Sequence, residues 1–336
     1  MNKKFLELAL ARVVSKEDVL VNPPCSYFSR CGGCQLQHLK YEFQLHFKTE
    51  VLREMLQEIA GISCPRIDSA IPAKNPFHYR SRIRLQVSGQ GEVGFFKTRS
   101  HEVVPIDRCE IAEERLNEKI PETKILARKL LEKDPTQRHE IEIRREGEKI
   151  VLATDPQEEG FTQVNADQNQ KLVELVLKNL ELSGKEKVLE LFAGEGNFTF
   201  PISKTAKSVL AIESSEASVL RAEERIKKEH FRNVQFIQST AFRFLENPPT
   251  FVKGGQGGFD RLLLDPPRKG AFECLEGIAK LKAPLLIYVS CDPETLARDV
   301  QMLMKLGYHH DFSQVIDMFP QTYHVESVTR LSQFPT

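Results

Sequence analysis

From about residue 160 onward, short apolar runs alternate with amphipathic stretches, and this alternation limits the possible folds more than any other feature of the chain. Residues 188–192, 208–213, 234–237, 259–264 and 285–290 have the length and composition of strands. Between them, 166–181 and 215–229 repeat apolar residues at helical spacing. Strands joined through helices run parallel, so the pattern predicts an α/β, Rossmann-like, doubly wound sheet. In such a sheet, chemistry collects beyond the carboxyl ends of the strands.

The remaining chain reads differently. Its 336 residues suggest two domains, or one with a large addition. The expected division is an N-terminal region over 1–40, a central β-containing region over 41–155, and the Rossmann-like domain over 156–336. Lys plus Arg and Asp plus Glu both number 47, so a nucleic-acid partner would have to be met by a local basic surface. The first twenty residues are charged throughout and no run reaches membrane-spanning length, which points to the cytoplasm and to no membrane partner; a monomer is expected. Seven cysteines without an export signal argue for metal ligation or catalysis rather than disulfides.

Three strand ends carry the candidate chemistry. KVLELFAGEGNFTF at 187–200 runs from a strand into a Gly-x-Gly turn containing Gly194, and Glu213 ends the next strand. The glycines let a ligand approach the backbone, and the acid can hold both ribose hydroxyls. Thr199 stands where a dinucleotide fingerprint wants a third glycine, which favours S-adenosylmethionine over NAD. Asp265 ends the strand before DPPRKG, and Cys291 ends LLIYVSC. Two further strands are expected within DFSQVIDMFPQTYHVESVTRL; if the second returns antiparallel, Glu326 reaches the same edge. A thiol, carboxylates and a nucleoside pocket suit methylation of a pyrimidine carbon. Cys291 would add to C6, making C5 a nucleophile, and Glu326 would then remove the C5 proton.

PPCSYFSRCGGCQLQH places Cys25, Cys31 and Cys34 as C-x5-C-x2-C, with Cys109 in IDRCEI farther on. This clustering signals a metal site, and spacing leaves zinc and an iron-sulfur cluster both open. Cys64 competes for the fourth position, and Cys274 reads as core. In HYRSRIRLQV, strand alternation would put Tyr79, Ser81, Ile83, Leu85 and Val87 on one face and Arg80, Arg82, Arg84 and Gln86 on the other, where the arginines could meet RNA phosphates.

The stretches FTQVN, LFAGEGNFTFP, LLLDPPRKG, YVSCDPETLARD and HVESVTRL resemble the iron-sulfur-containing RNA (uracil-5) methyltransferases. The resemblance implies a class I S-adenosylmethionine methyltransferase domain with a smaller iron-sulfur and RNA-binding region. It implies Cys291 as nucleophile, Glu326 as proton acceptor, and Gln163, Phe192, Asn197, Glu213 and Asp265 around the methyl donor and target base. It also implies a [4Fe-4S] cluster on Cys25, Cys31, Cys34 and Cys109. The short stretch ahead of Cys25 resembles the shorter 23S ribosomal RNA members without an N-terminal TRAM domain, which makes ribosomal RNA the expected substrate and transfer RNA the alternative. Two rivals are an exocyclic-amine methyltransferase, which would want an aromatic residue where Arg268 stands and has no use for Cys291, and a catalytically silent RNA-binding assembly factor.

Overall fold

The computed structural model describes residues 19–136, 138–154, 156, 163–247 and 258–333. The first eighteen residues, the glycine-rich stretch at 253–257 and the first two residues of FTQVN lie outside the described residues. After the cysteine-bearing segment, helix α1 (Tyr41–Glu58) leads to strand β1 (Ile67–Ile71). A smaller sheet follows, built from β2 (Arg82–Val87), β3 (Val93–Phe96), β4 (Val103–Pro105), β5 (Glu140–Glu146) and β6 (Lys149–Thr154), with helices α2 (Glu114–Asn117) and α3 (Ile120–Lys133) inserted before β5. Its order is β4-β3-β2-β5-β6, antiparallel throughout.

Helix α4 (Ala166–Leu180) opens the larger unit. Its N-cap Asn165 accepts a hydrogen bond from the Gln168 main-chain N–H, and Leu172, Leu175, Val176 and Leu180 form its buried stripe. Next come β7 (Lys187–Leu191), α5 (Thr199–Ser203), β8 (Ser208–Glu213), α6 (Glu216–Glu229), β9 (Val234–Gln238) and α7 (Ala241–Glu246). The chain then crosses to β10 (Arg261–Leu264), α8 (Leu275–Lys280), β11 (Leu285–Ser290), α9 (Pro293–Lys305), β12 (Tyr308–Ile316) and β13 (Glu326–Gln333). These strands form a sheet in the order β1-β12-β13-β11-β10-β7-β8-β9.

All neighbours in the large sheet are parallel except those of β13, which returns antiparallel between β12 and β11. All six residues of β11 are buried, as a central parallel strand covered on both faces requires. The order reverses direction between β7 and β10, so the crevice above these two strands is the natural place for a ligand. The five strands expected between 188 and 290 are present, with bounds moved by no more than two residues at an end.

Two expectations differ from the observed packing. Helix α1 and strand β1 do not join the small sheet: β1 pairs with β12, and Phe47, Val51, Leu52 and Leu56 share a core with Leu286 and Leu331 of the large sheet. Strand β2 also begins only at Arg82, so the three arginines do not form one continuous face. Ile83 and Leu85 do turn inward, and Arg84 points out to pair with Glu142 on β5 at 3.1 Å. Arg80 precedes the strand, and its guanidinium lies 6.0 Å from the Phe319 ring centroid. Among the described residues, no helix is long and apolar enough to cross a membrane.

Candidate active site

The turn after β7 is shaped for a ligand. Phe192 and Gly194 both take positive φ, at 65° and 56°, and the Gly194 N–H donates to Glu213 Oε2 at 2.8 Å. A Cβ on Gly194 would meet nothing within 4 Å, so the backbone here faces open space. Gly196 is required for a different reason: its φ is +89°, and a Cβ would lie 2.5 Å from the Phe200 ring. Asn197 is held by two hydrogen bonds exchanged with Asn169 of α4, at 2.9 and 3.0 Å. The acid expected to hold a ribose therefore already closes the turn, by bonding the main chain of Gly194 on one side and Ser215 on the other.

Cys291 sits between the end of β11 and the start of α9. Asp292 caps that helix, with its carboxylate accepting from the main-chain N–H groups of Glu294 and Thr295, and Pro293 supplies the fixed φ favoured at the first helical position. The capped turn fixes the direction of the preceding thiol. Glu326 opens β13, which pairs antiparallel with β11 in the register Ser290↔Ser327, so thiol and carboxyl stand at the same end of adjacent strands. Asp265 directly follows β10, the other neighbour of β11.

One pocket unites these groups. Gln163, Phe192, Gly194, Asn197, Glu213, Asp265, Cys291 and Glu326 all line it. The sequence reading missed Arg268, Phe319 and His324, which line the same pocket. The Arg268 guanidinium donates toward His324 Nδ1 at 3.3 Å. Arg268 lies in DPPRKG, where it counted only as a missing aromatic; His324 stands two residues before Glu326, outside any strand, and carries no periodic signal of its own. Helix α9 steadies the Arg268 loop: Thr295 Oγ1 donates to the Arg268 carbonyl at 3.1 Å, Arg298 to the Lys269 carbonyl at 2.9 Å, and buried Asp299 accepts from the Ala271 N–H at 2.6 Å.

The electrostatics of the pocket favour neutral acids. Burial pushes the Cys291 thiol up to about 11, the charge of Glu326 adds to this, and Arg268 opposes it. Burial, then the nearby Asp265, lifts Glu326 to about 8, again against the pull of Arg268. Burial alone raises Asp265 to about 7. Behind the turn, burial takes Glu190 to about 8 although it accepts a 2.5 Å hydrogen bond from Thr199 Oγ1. His324 moves the opposite way, to about 4, through burial and then the positive charge of Arg268, so it stays neutral and can accept from that arginine. Such displaced acids and bases around one cavity mark a site of proton transfer.

A second group of thiols lies elsewhere. Cys25, Cys31, Cys34 and Cys109 line one cavity with Tyr27, Phe28, Phe95 and Ile106. Gly32 lets this loop run against β3, since a Cβ there would come within 2.9 Å of the Phe96 carbonyl oxygen. Asn117 fixes Cys109 by donating to its carbonyl and accepting from its N–H, at 3.2 and 2.8 Å. Burial pushes Cys34 up to about 12 and Cys109 up to about 11. Among the described residues, no three His, Cys, Asp or Glu side chains are arranged to hold a metal ion, so the structure does not bear out the metal site expected on these cysteines. Cys64 is exposed and Cys274 buried, and neither lines this cavity.

Comparison with known proteins agrees with the geometry. A family model described as tRNA (Uracil-5-)-methyltransferase matches residues 128–334. The 23S rRNA (uracil(1939)-C(5))-methyltransferase RlmD of Pseudomonas putida is 33% identical, over 97% of this chain and 83% of that protein. Its Haemophilus influenzae counterpart is 32% identical over 95% and 83%. Among solved structures, the Pyrococcus abyssi tRNA (uracil-54, C5)-methyltransferase in complex with S-adenosyl-L-homocysteine superimposes with a TM-score of 0.70 at 24% identity, covering 90% of this chain and 86% of that one, a likeness that shows the fold alone. On the strength of the family match and the curated relatives, the chain belongs to the tRNA (uracil-5-)-methyltransferase family.

Proposed function

We propose that the protein methylates C5 of a uridine in RNA, and that 23S ribosomal RNA is its substrate. The observation that carries this reading is the convergence of Cys291, Glu326 and Asp265 with the Gly194 turn and Glu213 in one pocket. S-adenosylmethionine, when bound, supplies an electrophilic methyl group. The open backbone at Gly194, the Glu213 carboxylate and Phe192 fit its nucleoside half. The ribosomal preference follows the curated relatives; the family model's description and the archaeal structure keep transfer RNA as the second reading.

The pocket's own residues account for the chemistry. The Cys291 thiolate forms a bond to C6 of the uracil, and the displaced electron pair moves through C5 toward O4. C5 then takes the methyl group as the bond from that methyl to the donor's sulfonium sulfur breaks, the electron pair staying on sulfur as a neutral thioether. Glu326 accepts the C5 proton, the electron pair returns to the ring, and the S–C6 bond breaks to release thiolate and product. Arg268 bears on both catalytic groups because its charge favours the thiolate and the carboxylate. With its carboxyl raised to about 8, Glu326 in its ionised form is a stronger base than an ordinary carboxylate, which suits removal of the C5 proton.

Cys25, Cys31 and Cys34 together with Cys109 are assigned to a [4Fe-4S] cluster on the resemblance of their sequence, a group that would staple the N-terminal loop to Cys109. They line one cavity, although among the described residues no three of them are arranged to hold a metal ion. Methylation itself needs no electron. RNA phosphates are assigned to Arg82 and Arg84 on the small sheet, with Arg80 turned toward the cysteines instead. Mass-spectrometric mapping of 5-methyluridine in ribosomal and transfer RNA, from cells with and without the protein, tests this reading. It predicts loss of one ribosomal site, and loss of a transfer RNA site alone would move the substrate.

A further inference from the structure

Residues 317–321 join β12 to β13 without regular structure, yet five successive main-chain carbonyls there each accept a hydrogen bond from a distant part of the chain. Gln168 Nε2 donates to the Asp317 carbonyl at 3.1 Å and Asn165 Nδ2 to that of Met318 at 3.1 Å. Lys48 Nζ reaches the Phe319 carbonyl at 3.0 Å, and the Tyr79 hydroxyl reaches that of Pro320 at 3.1 Å. The N–H groups of Gln35 and Leu36 both donate to the Gln321 carbonyl, at 2.9 and 3.0 Å. Side chains close the set: Lys48 also pairs with Asp317 at 2.6 Å with both side chains fully buried, and Gln44 both donates to and accepts from Gln321.

A connecting loop ordinarily lies on the surface and leaves its carbonyls to water. Here the donors come from four separate segments, and Gln321 is held at a φ of 70°, a conformation that a non-glycine residue keeps only when its surroundings dictate it. Two of those segments border functional groups directly, since Asn165 and Gln168 flank the helix start that carries Asn169, and Gln35 follows Cys34. The segment so held, with the residues just after it, presents Phe319 and His324 to the pocket that contains Cys291 and Glu326.

We propose that this cradle positions the wall against which the target uracil is seated, making Tyr79, Gln168 and Lys48 positioning residues for the attack on C6. The inference rests on the uracil reading above. Buried donors that fix a loop at five consecutive carbonyls hold it to a fraction of an ångström, and misplacement of reacting groups by about 1 Å costs on the order of 10²-fold in rate.

The test compares Tyr79→Phe, which removes only a hydroxyl, with the double variant Tyr79→Phe/Gln168→Met, using the full-length protein and RNA containing 5-fluorouridine. The rate of covalent adduct formation per folded molecule is expected to fall about tenfold in the single variant and about a hundredfold in the double. RNA KM and S-adenosylmethionine Kd are expected to stay within about threefold of the wild type, a split that a merely structural role would not produce. Unchanged adduct rates in Tyr79→Phe, with only a lower melting temperature, would overturn the cradle as a positioning device. Parallel losses in KM, Kd and rate would overturn it too, as general destabilisation. A wild-type protein that forms no adduct at all would remove the uracil reading, and the cradle's role with it.

Discussion

Cys291 and Cys34 are both buried thiols, and burial pushes both upward, to about 11 and about 12. Their surroundings separate them. Cys291 is presented by a strand end and a capped helix, and it faces Glu326, Asp265 and Arg268, groups that can carry a proton or offset a charge. Cys34 sits in an irregular loop facing Cys109, Cys31 and a lining of aromatic and apolar side chains. Burial therefore does not tell a nucleophile from a ligand. The neighbours differ: in the reading proposed above, titratable partners place Cys291 in a proton-transfer site, whereas further thiols place Cys34 in a donor set.

The comparison breaks if the two sets can be exchanged in effect. Cys291→Ala is expected to lower methylation by on the order of 10⁴-fold or more, because it removes the group that activates C5. Its iron content should equal the wild type's. Cys31→Ala should do the reverse, losing iron and brown colour in anaerobically purified protein while S-adenosylmethionine affinity stays within about twofold, as expected for sites without shared partners. Iron analysis and calorimetric titration of both variants decide the point. Stoichiometric zinc in the wild type would replace the cluster with a single-ion site.

The pH response sharpens the same contrast. Glu326 titrates near 8 in the folded protein against 4.5 when unfolded, so the folded state keeps a proton that the unfolded chain sheds. Its contribution to stability is therefore lost progressively as the pH climbs between those two values. Glu326→Gln removes this loss. The variant should match the wild type near pH 5 and melt on the order of 5 °C higher near pH 8. Equal melting temperatures at both pH values would mean that the carboxyl is ionised in the folded protein.

The smallest effect is expected on the small sheet. Arg82→Ala/Arg84→Ala should weaken RNA binding and lower its logarithmic salt slope by about 0.7 to 0.9, one phosphate contact rather than two. Arg84 is already paired with Glu142 and limits the gain. Filter binding across a salt series measures it, and an unchanged slope would make this strand an ordinary solvated face.

The catalytic edge was legible because its signals are local. Cys291, Asp265 and Glu213 each end an apolar run, and the parallel sheet brings such ends together whatever the loops between them do. Glu326 required that β13 return antiparallel, a condition that the sequence left open and that the pairing of β13 with β11 meets. The arginine face was misread at its first member because alternation does not say where a strand starts, and Arg80 falls two residues outside it. Helix α1 and strand β1 could not be assigned to the large sheet, since β1 pairs with β12 across more than half the chain. The cradle was invisible for a related reason. Bonds from Lys48, Tyr79 and Gln168 to main-chain carbonyls near residue 320 impose no spacing on the sequence.

Trapping with RNA that contains 5-fluorouridine tests the central claim most directly. Fluorine at C5 cannot be removed as a cation by Glu326, so the methylated adduct on Cys291 has no route to elimination. In the presence of S-adenosylmethionine, the wild-type protein should give a denaturant-resistant protein–RNA band whose crosslinked peptide contains Cys291, and Cys291→Ala should give none. A band of equal intensity from Cys291→Ala, or normal methylation of ordinary RNA by that variant, would contradict the account.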